Sequence, residues 1–325
     1  MIIFVLIISL FLGWAFGRNN LSNVFGSAVG TRMVSLKTAA TLTGLFVFCG
    51  AIISGQATTA SVQQLAATPT LFQAFFISFC MGLILLLAGY LGIPVSIVQA
   101  SVGCLIALNL YVHVNTNWAL VANMAKIWLI SPVIALIFSL CLFKGIRFIL
   151  YRIKIPLLYR DVGIRFCLIA TGIFSAYALG ANNISTLIAP YQSTGLYLGW
   201  PLILVICLGV AIGAQMADKR VIHTVSTGLF PLSPIEAWVV IFSSATVLLF
   251  FSSTILSAFL QKIGINISLI PIPASCILTG SILGISCAKG GKGINFYALL
   301  KIIGSWFIVP AFSCLICFVF LSILG

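Results

Sequence analysis

Two short stretches gather the residues able to do chemistry: Gly17-Arg18-Asn19-Asn20-Leu21-Ser22-Asn23 and Gly180-Ala181-Asn182-Asn183-Ile184-Ser185-Thr186. Five of the seven positions keep the same residue class, and the Gly-x-Asn-Asn core is identical. Amides and hydroxyls at these places offer neutral donors and acceptors. They supply no nucleophile–base set and no carboxylate pair, so the chemistry they support is binding, and an enzyme is not expected. Each stretch interrupts an apolar run. In hydrocarbon an unpaired polar group costs several kcal/mol, so such a stretch survives only inside protein or beside a wet cavity. Polar breaks at matching places in two halves of a membrane protein point to a central binding site.

The candidate ligands follow from the residue types. Ser22, Ser185, Ser96, Ser101 and Ser275 are hydroxyl donors, and Asn23 and Thr186 close the two motifs. Asn19, Asn20, Asn182 and Asn183 either orient an anion through their NH2 groups or coordinate a cation through their carbonyls. The competing reading is that such Ser and Asn residues only bond neighbouring helices, typically for under about 1 kcal/mol. The expected mechanism places helix N-termini at Asn19–Asn23 and Asn182–Thr186, aiming backbone N–H groups at an anion. Arg18 has two readings. It attracts substrate, or it snorkels to headgroups, because an arginine at a helix centre costs about 2.5–3.5 kcal/mol on insertion scales. His113 and His223 are isolated, although His223 lies near enough to Asp218 in sequence to relay a proton.

The elements that must position these residues are membrane helices. The chain is 62% hydrophobic and 6% charged, with a mean hydropathy of +1.26, whereas a soluble domain carries about 25% charged residues. Its 16 basic and three acidic residues cluster between apolar runs, which the positive-inside bias explains without nucleic acid. Ten cysteines form no framework, and Cys314-x-x-Cys317 has no second pair with which to hold a metal. No metal site and no resident cofactor are expected. Residues 1–16 lack the basic n-region and cleavage site of a signal peptide and read as a retained span. Spans are expected at about 1–16, 37–54, 70–91, 94–112, 118–143, 163–179, 196–214, 235–261, 271–287 and 296–323. Segments near 20–30 and 183–190 are too short to cross alone and read as half-helices or hairpins.

Basic residues set the orientation. Lys144, Arg147, Arg152, Lys154, Arg160 and Arg165 place the link between the halves in the cytoplasm, with both termini outside and Lys262 as the exception. The expected division is a first repeat at 1–145, a basic cytoplasmic linker at 146–162 and a second repeat at 163–325. Five spans per half invert one repeat relative to the other. The fold class is therefore an all-α polytopic membrane protein of two inverted-topology repeats, about five spanning helices each, with broken half-helices near the midplane. Residues 94–103 echo 271–280, and Trp128-x-x-x-Pro132 echoes Trp306-x-x-x-Pro310, in the same order as the amide motifs.

On these motifs the chain resembles the inorganic phosphate transporter (PiT) family over nearly its whole length. GRNNLSN (17–23) and GANNIST (180–186) are similar to that family's GANDVAN-like motifs. PVSIVQ (94–99) and PIPASC (271–276) are similar to its PVSTTH-like motifs, and VIHTVSTGLFPLSP (221–234) to a later family segment. The resemblance implies a secondary transporter of an inorganic oxyanion, usually phosphate, coupled to Na+ or H+ by alternating access in the plasma or inner membrane. The anion would sit at midplane between the repeats, with Na+ the candidate coupling ion. Bilayer lipid is the surrounding partner, and a homo-oligomer is a further candidate assembly.

The departures from the family pattern carry information. Its motif aspartates fall on Asn20 and Asn183, its alanine on Arg18, and its histidines on Gln99 and Cys276. Asn can offer a carbonyl in place of carboxylate but brings no charge, and its NH2 suits an anion with no proton to donate. Three readings stay open: phosphate by the family pattern, sulfate or another fully deprotonated oxyanion, and a transport-inactive sensing or interaction homologue.

Overall fold

The structure is a computed structural model that describes residues 2–65, 67–152, 156–192, 194, 199–264, 266 and 268–324. Met1, Lys154 and the expected start of a span at 196–198 lie outside the described residues. Among the described residues the regular elements are all helical. They are α1 (Ile2–Gly30), α2 (Leu36–Ser54), α3 (Thr59–Gln63), α4 (Leu71–Tyr90), α5 (Ile97–Tyr111), α6 (Trp118–Arg152) and α7 (Leu157–Ile188). Then follow α8 (Trp200–Gln215), α9 (Lys219–His223), α10 (Pro234–Phe250), α11 (Thr254–Lys262), α12 (Ala274–Ala288) and α13 (Phe296–Leu324). Several starts are capped by side chains. Ser35 accepts from the Thr38 N–H, and capping boxes open α4 (Thr70 with Gln73) and α10 (Ser233 with Glu236).

Several expected boundaries are corrected. Segments 20–30 and 183–190 are not separate half-helices, because α1 runs unbroken to Gly30 and α7 to Ile188. A buried amide or hydroxyl bonds back to its own helix and so leaves the ladder intact. The two short helices are instead α5 and α12, at 15 residues each, which the sequence reading took as full spans. Fifteen residues rise about 22 Å, less than the roughly 30 Å hydrocarbon core. The expected span at 235–261 is α10 and α11 with a 66° bend between them, and α8 bends by 71° into α9 and the π-turn Thr224–Gly228. Most of the stretch expected as a basic linker is helical, shared between the end of α6 and the start of α7. Among the described residues six helices are long and apolar enough to cross a membrane, or up to eight counting each bent pair as one span.

Packing is duplicated. The bundle pairs α1 with α8 and α2 with α7, α6 with α12 and α5 with α13, and α4 with α1 and α10 with α7. Exchanging α1 with α7, α2 with α8, α4 with α10, α5 with α12 and α6 with α13 leaves this pattern unchanged. The exchange holds down to single atoms. A Cβ on Gly17 would lie 2.2 Å from the Val210 carbonyl oxygen, and one on Gly180 would lie 2.1 Å from that of Val47. Likewise Gly103 meets the Pro310 carbonyl oxygen at 2.2 Å and Gly280 that of Pro132 at 2.1 Å. The Trp-x-x-x-Pro echoes thus occupy equivalent places, each supplying a backbone against which a half-helix glycine lies.

These contacts leave no room for a methyl group facing backbone. Gly17→Ala and Gly180→Ala should each destabilise the purified protein by about 1–3 kcal/mol, read as a lowered melting temperature. Gly145→Ala, in α6 with nothing within 4 Å, should be neutral or gain up to about 1 kcal/mol from helix propensity. Equal effects at all three positions would refute the close-packing account.

Candidate functional site

The candidate site lies where α1, α7, α5 and α12 meet, since α1 packs on α7 and α12, and α7 packs on α5. Both amide motifs are inside the bundle. Asn19 and Asn182 are 0% exposed, Asn20 and Asn183 2%, and Ser22, Asn23, Ser185 and Thr186 are buried with them. Neither motif faces lipid.

Their amides fall into two kinds. Asn20 Nδ2 donates to the Phe16 carbonyl at 3.2 Å, and Asn183 Nδ2 donates to that of Leu179 at the same 3.2 Å. Each thus ties one hand to its own helix, a turn back. Asn20 Oδ1 also accepts from Asn23 Nδ2 at 2.8 Å, and Ser22 Oγ donates to the Asn19 carbonyl at 2.6 Å. Asn19 and Asn182 differ from these. Both side-chain atoms of Asn19 lack a partner, as do Asn182 Nδ2, Asn23 Oδ1 and Thr186 Oγ1. Asn182 Oδ1 accepts from the Ile272 N–H at 2.9 Å, which docks the segment leading into α12 against α7. Ser185 Oγ and Thr58 Oγ1 lie 2.5 Å apart, and Thr58 also donates to the Asn182 carbonyl at 3.2 Å.

The expected helix N-termini are not at the motifs, because α1 and α7 continue through them. They lie at α5 and α12, where Ser96 caps α5 by accepting from the Val98 N–H at 3.2 Å, and Ser275 sits in the first turn of α12 with Oγ unpartnered. Gln99 is held between the halves. Its Nε2 lies 3.3 Å from the Trp306 carbonyl and 3.9 Å from Cys276 Sγ. Pro310 explains the first contact, because a proline inside a helix leaves the carbonyl four residues earlier without its N–H partner. Gln99 fills that gap. Ser101 is buried in α5 with its hydroxyl free.

Arg18 is turned away from the amides. Its Nε and Nη2 each lie 2.8 Å from Asp218 Oδ1, between the rings of Trp14 and Tyr90. Sequence reasoning related Asp218 only to His223, which is exposed at the end of α9. It also passed over Thr58, in an uncharged loop with no distinguishing neighbour. The signal that could have found Asp218 was scarcity, as one of three acids in the chain. The other two are also elsewhere: Glu236 pairs with Lys289 at 3.0 Å, and Asp161 is exposed in the first turns of α7.

Leaving a buried polar atom unpaired costs roughly 1–3 kcal/mol, and a cluster of them calls for a ligand. Here free donors (Asn19 Nδ2, Asn182 Nδ2) suit an anion, and free acceptors (Asn19 Oδ1, Asn23 Oδ1) suit a cation. Buried, unpartnered amides and hydroxyls of this kind, inside duplicated membrane helices that include two half-helices, suit a membrane transporter. Residues 16–258 match the family described as "Phosphate transporter family", and the chain belongs to that family. It is 23% identical over 316 residues to a "Putative phosphate permease" of Methanocaldococcus jannaschii, covering 97% of this chain and 95% of that one. It is 24% identical over 324 residues to "Sulfate permease CysP" of Bacillus subtilis, covering 98% and 86%. The fold is shared with a solved structure titled "The sodium-dependent phosphate transporter", at a TM-score of 0.77, 19% identity and 99% coverage of both chains.

A ligand role and a structural role for Asn19 predict opposite outcomes. Asn19→Leu removes an unsatisfied amide at similar volume, so the melting temperature should stay at or above that of the parent while substrate uptake falls by about tenfold or more. A loss of stability with uptake retained would make Asn19 a structural residue.

Proposed function

We propose that this chain is a secondary transporter of an inorganic oxyanion, phosphate first, working by alternating access between two inverted halves in a plasma or inner membrane. One observation carries the reading: buried, unpartnered amide and hydroxyl atoms on two motifs that the packing exchange relates. The halves are taken as residues 1–145 and 163–325, with the basic stretch between them cytoplasmic and both termini outside. The contact pattern supports two equivalent halves, and the basic residues supply the inverted sense.

In this reading Asn19 and Asn182 present NH2 groups to the anion, with Ser275 and Thr186 as further hydroxyl donors. Asn20, Ser22, Asn23, Asn183 and Ser185 form the layer that orients them, and Ser96 and Gln99 hold the α5 end in place. The starts of α5 and α12 direct positive dipole ends into the same region. Free carbonyl oxygens at Asn19 and Asn23 provide a place for Na+ as a coupling ion, with H+ as the other candidate. A neutral site that accepts an anion and a cation together avoids burying net charge. Lipid is the surrounding solvent, and a second copy of the chain is a candidate partner along the largely exposed faces of α6 and α13.

A second reading, sulfate, is favoured by one specific feature. Glu236 is paired with Lys289, Asp161 is exposed and Asp218 is taken up by Arg18, so the amides have no free carboxylate beside them to accept the proton that a phosphate monoanion carries. Radiolabelled uptake into proteoliposomes separates the readings. Saturable, gradient-dependent phosphate uptake supports the first, preferential sulfate uptake the second, and uptake of neither would leave a sensing or interaction homologue.

Two substitutions sharpen the choice. Asn20→Ala or Asn183→Ala should abolish uptake while the protein stays inserted and monodisperse; wild-type rates in both would reduce these asparagines to helix glue. Asn20→Asp combined with Asn183→Asp should move preference from sulfate towards phosphate, and an unchanged preference would refute the proton-acceptor argument.

A further inference from the structure

Asp218 stands at the N-cap of α9, where a carboxylate commonly accepts the first free N–H groups, yet its side chain makes no such bond. The carboxylate goes to Arg18 on α1 instead, with both 2.8 Å contacts on Oδ1, while the Asp218 N–H donates to the Arg18 carbonyl at 3.2 Å. Other elements are shaped to admit the pair. A Cβ on Gly89 of α4 would lie 2.1 Å from Asp218 Oδ2, so only glycine leaves the carboxylate room. Trp14 and Tyr90 rings lie 5.4 and 5.5 Å from the Arg18 guanidinium carbon. The pair therefore pins the 71° elbow between α8 and α9 to α1 and α4.

The corresponding junction of the first half, between α2 and α3, is pinned to α7 by different means. There Thr58 meets Ser185 and the Asn182 carbonyl through neutral hydrogen bonds. The residue that matches Arg18 is Ala181, buried and without a polar group. One junction is thus held by charge and the other by hydroxyls. A guanidinium fork binds a carboxylate and a tetrahedral oxyanion in the same geometry. Arg18 also directly precedes Asn19, the residue with the least satisfied amide.

We propose that Asp218 is a positioning residue acting through Arg18. It is the resting counter-ion that an inorganic oxyanion displaces on passing the α8–α9 elbow, so the Arg18–Asp218 pair is a substrate-opened latch and its Thr58 counterpart is not. The inference rests on the oxyanion-transport reading above. It adds an asymmetry to that reading: release on one side of the site responds to the anion itself, while release on the other does not.

The test uses the full-length protein, with phosphate and sulfate binding by calorimetry, melting temperature, and proteoliposome uptake. Removing the competing carboxylate in Asp218→Asn should tighten anion binding by about threefold or more while lowering the melting temperature. Gly89→Ala displaces the same carboxylate without altering either charge and should tighten binding in the same direction, which keeps the test open if Asp218→Asn folds poorly. The exchange of Arg18→Asp with Asp218→Arg restores an ion pair of reversed polarity. It should recover the melting temperature yet bind anion about tenfold more weakly, because like charge now faces the substrate. If the exchange restores both stability and affinity, or if Asp218→Asn and Gly89→Ala leave affinity unchanged or weaker, the pair is a structural tie and the latch is overturned. A wild-type protein that neither binds nor transports phosphate or sulfate would overturn the transport reading instead.

Discussion

Close backbone contact at glycine is the constraint on which the rest of this bundle depends. In a bilayer, lipid tails are as apolar as leucine, so helices gain little from burying apolar side chains against each other. Association then rests on van der Waals fit and interhelical hydrogen bonds. Gly17 against the Val210 carbonyl and Gly180 against that of Val47 provide such a fit. The same glycines open the two amide motifs. The residue that fixes the position of each helix therefore lies two residues from Asn19 or Asn182, and the placement of these amides inherits the accuracy of the packing.

Much of this was legible in the chain. Two amide motifs, two Trp-x-x-x-Pro segments and the family resemblance were readable as residue identities in a shared order, and the packing exchange relates each pair. The identity of the half-helices was not. Helices that are apolar all round carry almost no periodic signal, so α5 and α12 read as ordinary spans, and only their measured length separates them from the others. The unbroken course of α1 and α7 was hidden for another reason. A polar side chain breaks a helix only if it draws backbone groups out of the ladder, and Asn20 and Asn183 instead add a bond to the Phe16 and Leu179 carbonyls of helices that stay intact.

Within the candidate site the sequence singled out two motifs without separating their members. Asn19 and Asn20 are adjacent and chemically identical, yet one is bonded within its helix and the other is not. A turn of 100° per residue sends neighbouring side chains to different surroundings, and no single-sequence pattern records which surroundings those are. Gln99 shows the converse. Its partner is an orphaned carbonyl made by Pro310, more than 200 residues away, so its structural task is visible only once α5 and α13 are side by side.

Charge is where the two halves part. Repeats that share a packing scheme can differ only by substitution, and the largest difference inside the duplicated motifs is Arg18 against Ala181. A lone arginine there would be costly, and the structure meets the cost with one of only three acids and two aromatic faces. That leaves the amide site itself without any formal charge of its own. On the proposed reading, selectivity would then come from the direction of dipoles and from which atoms stay unpaired, rather than from opposing ions. On the proposed reading such a site would favour a solute whose oxygens all accept, with the Arg18–Asp218 ion pair standing at an elbow where helices change direction.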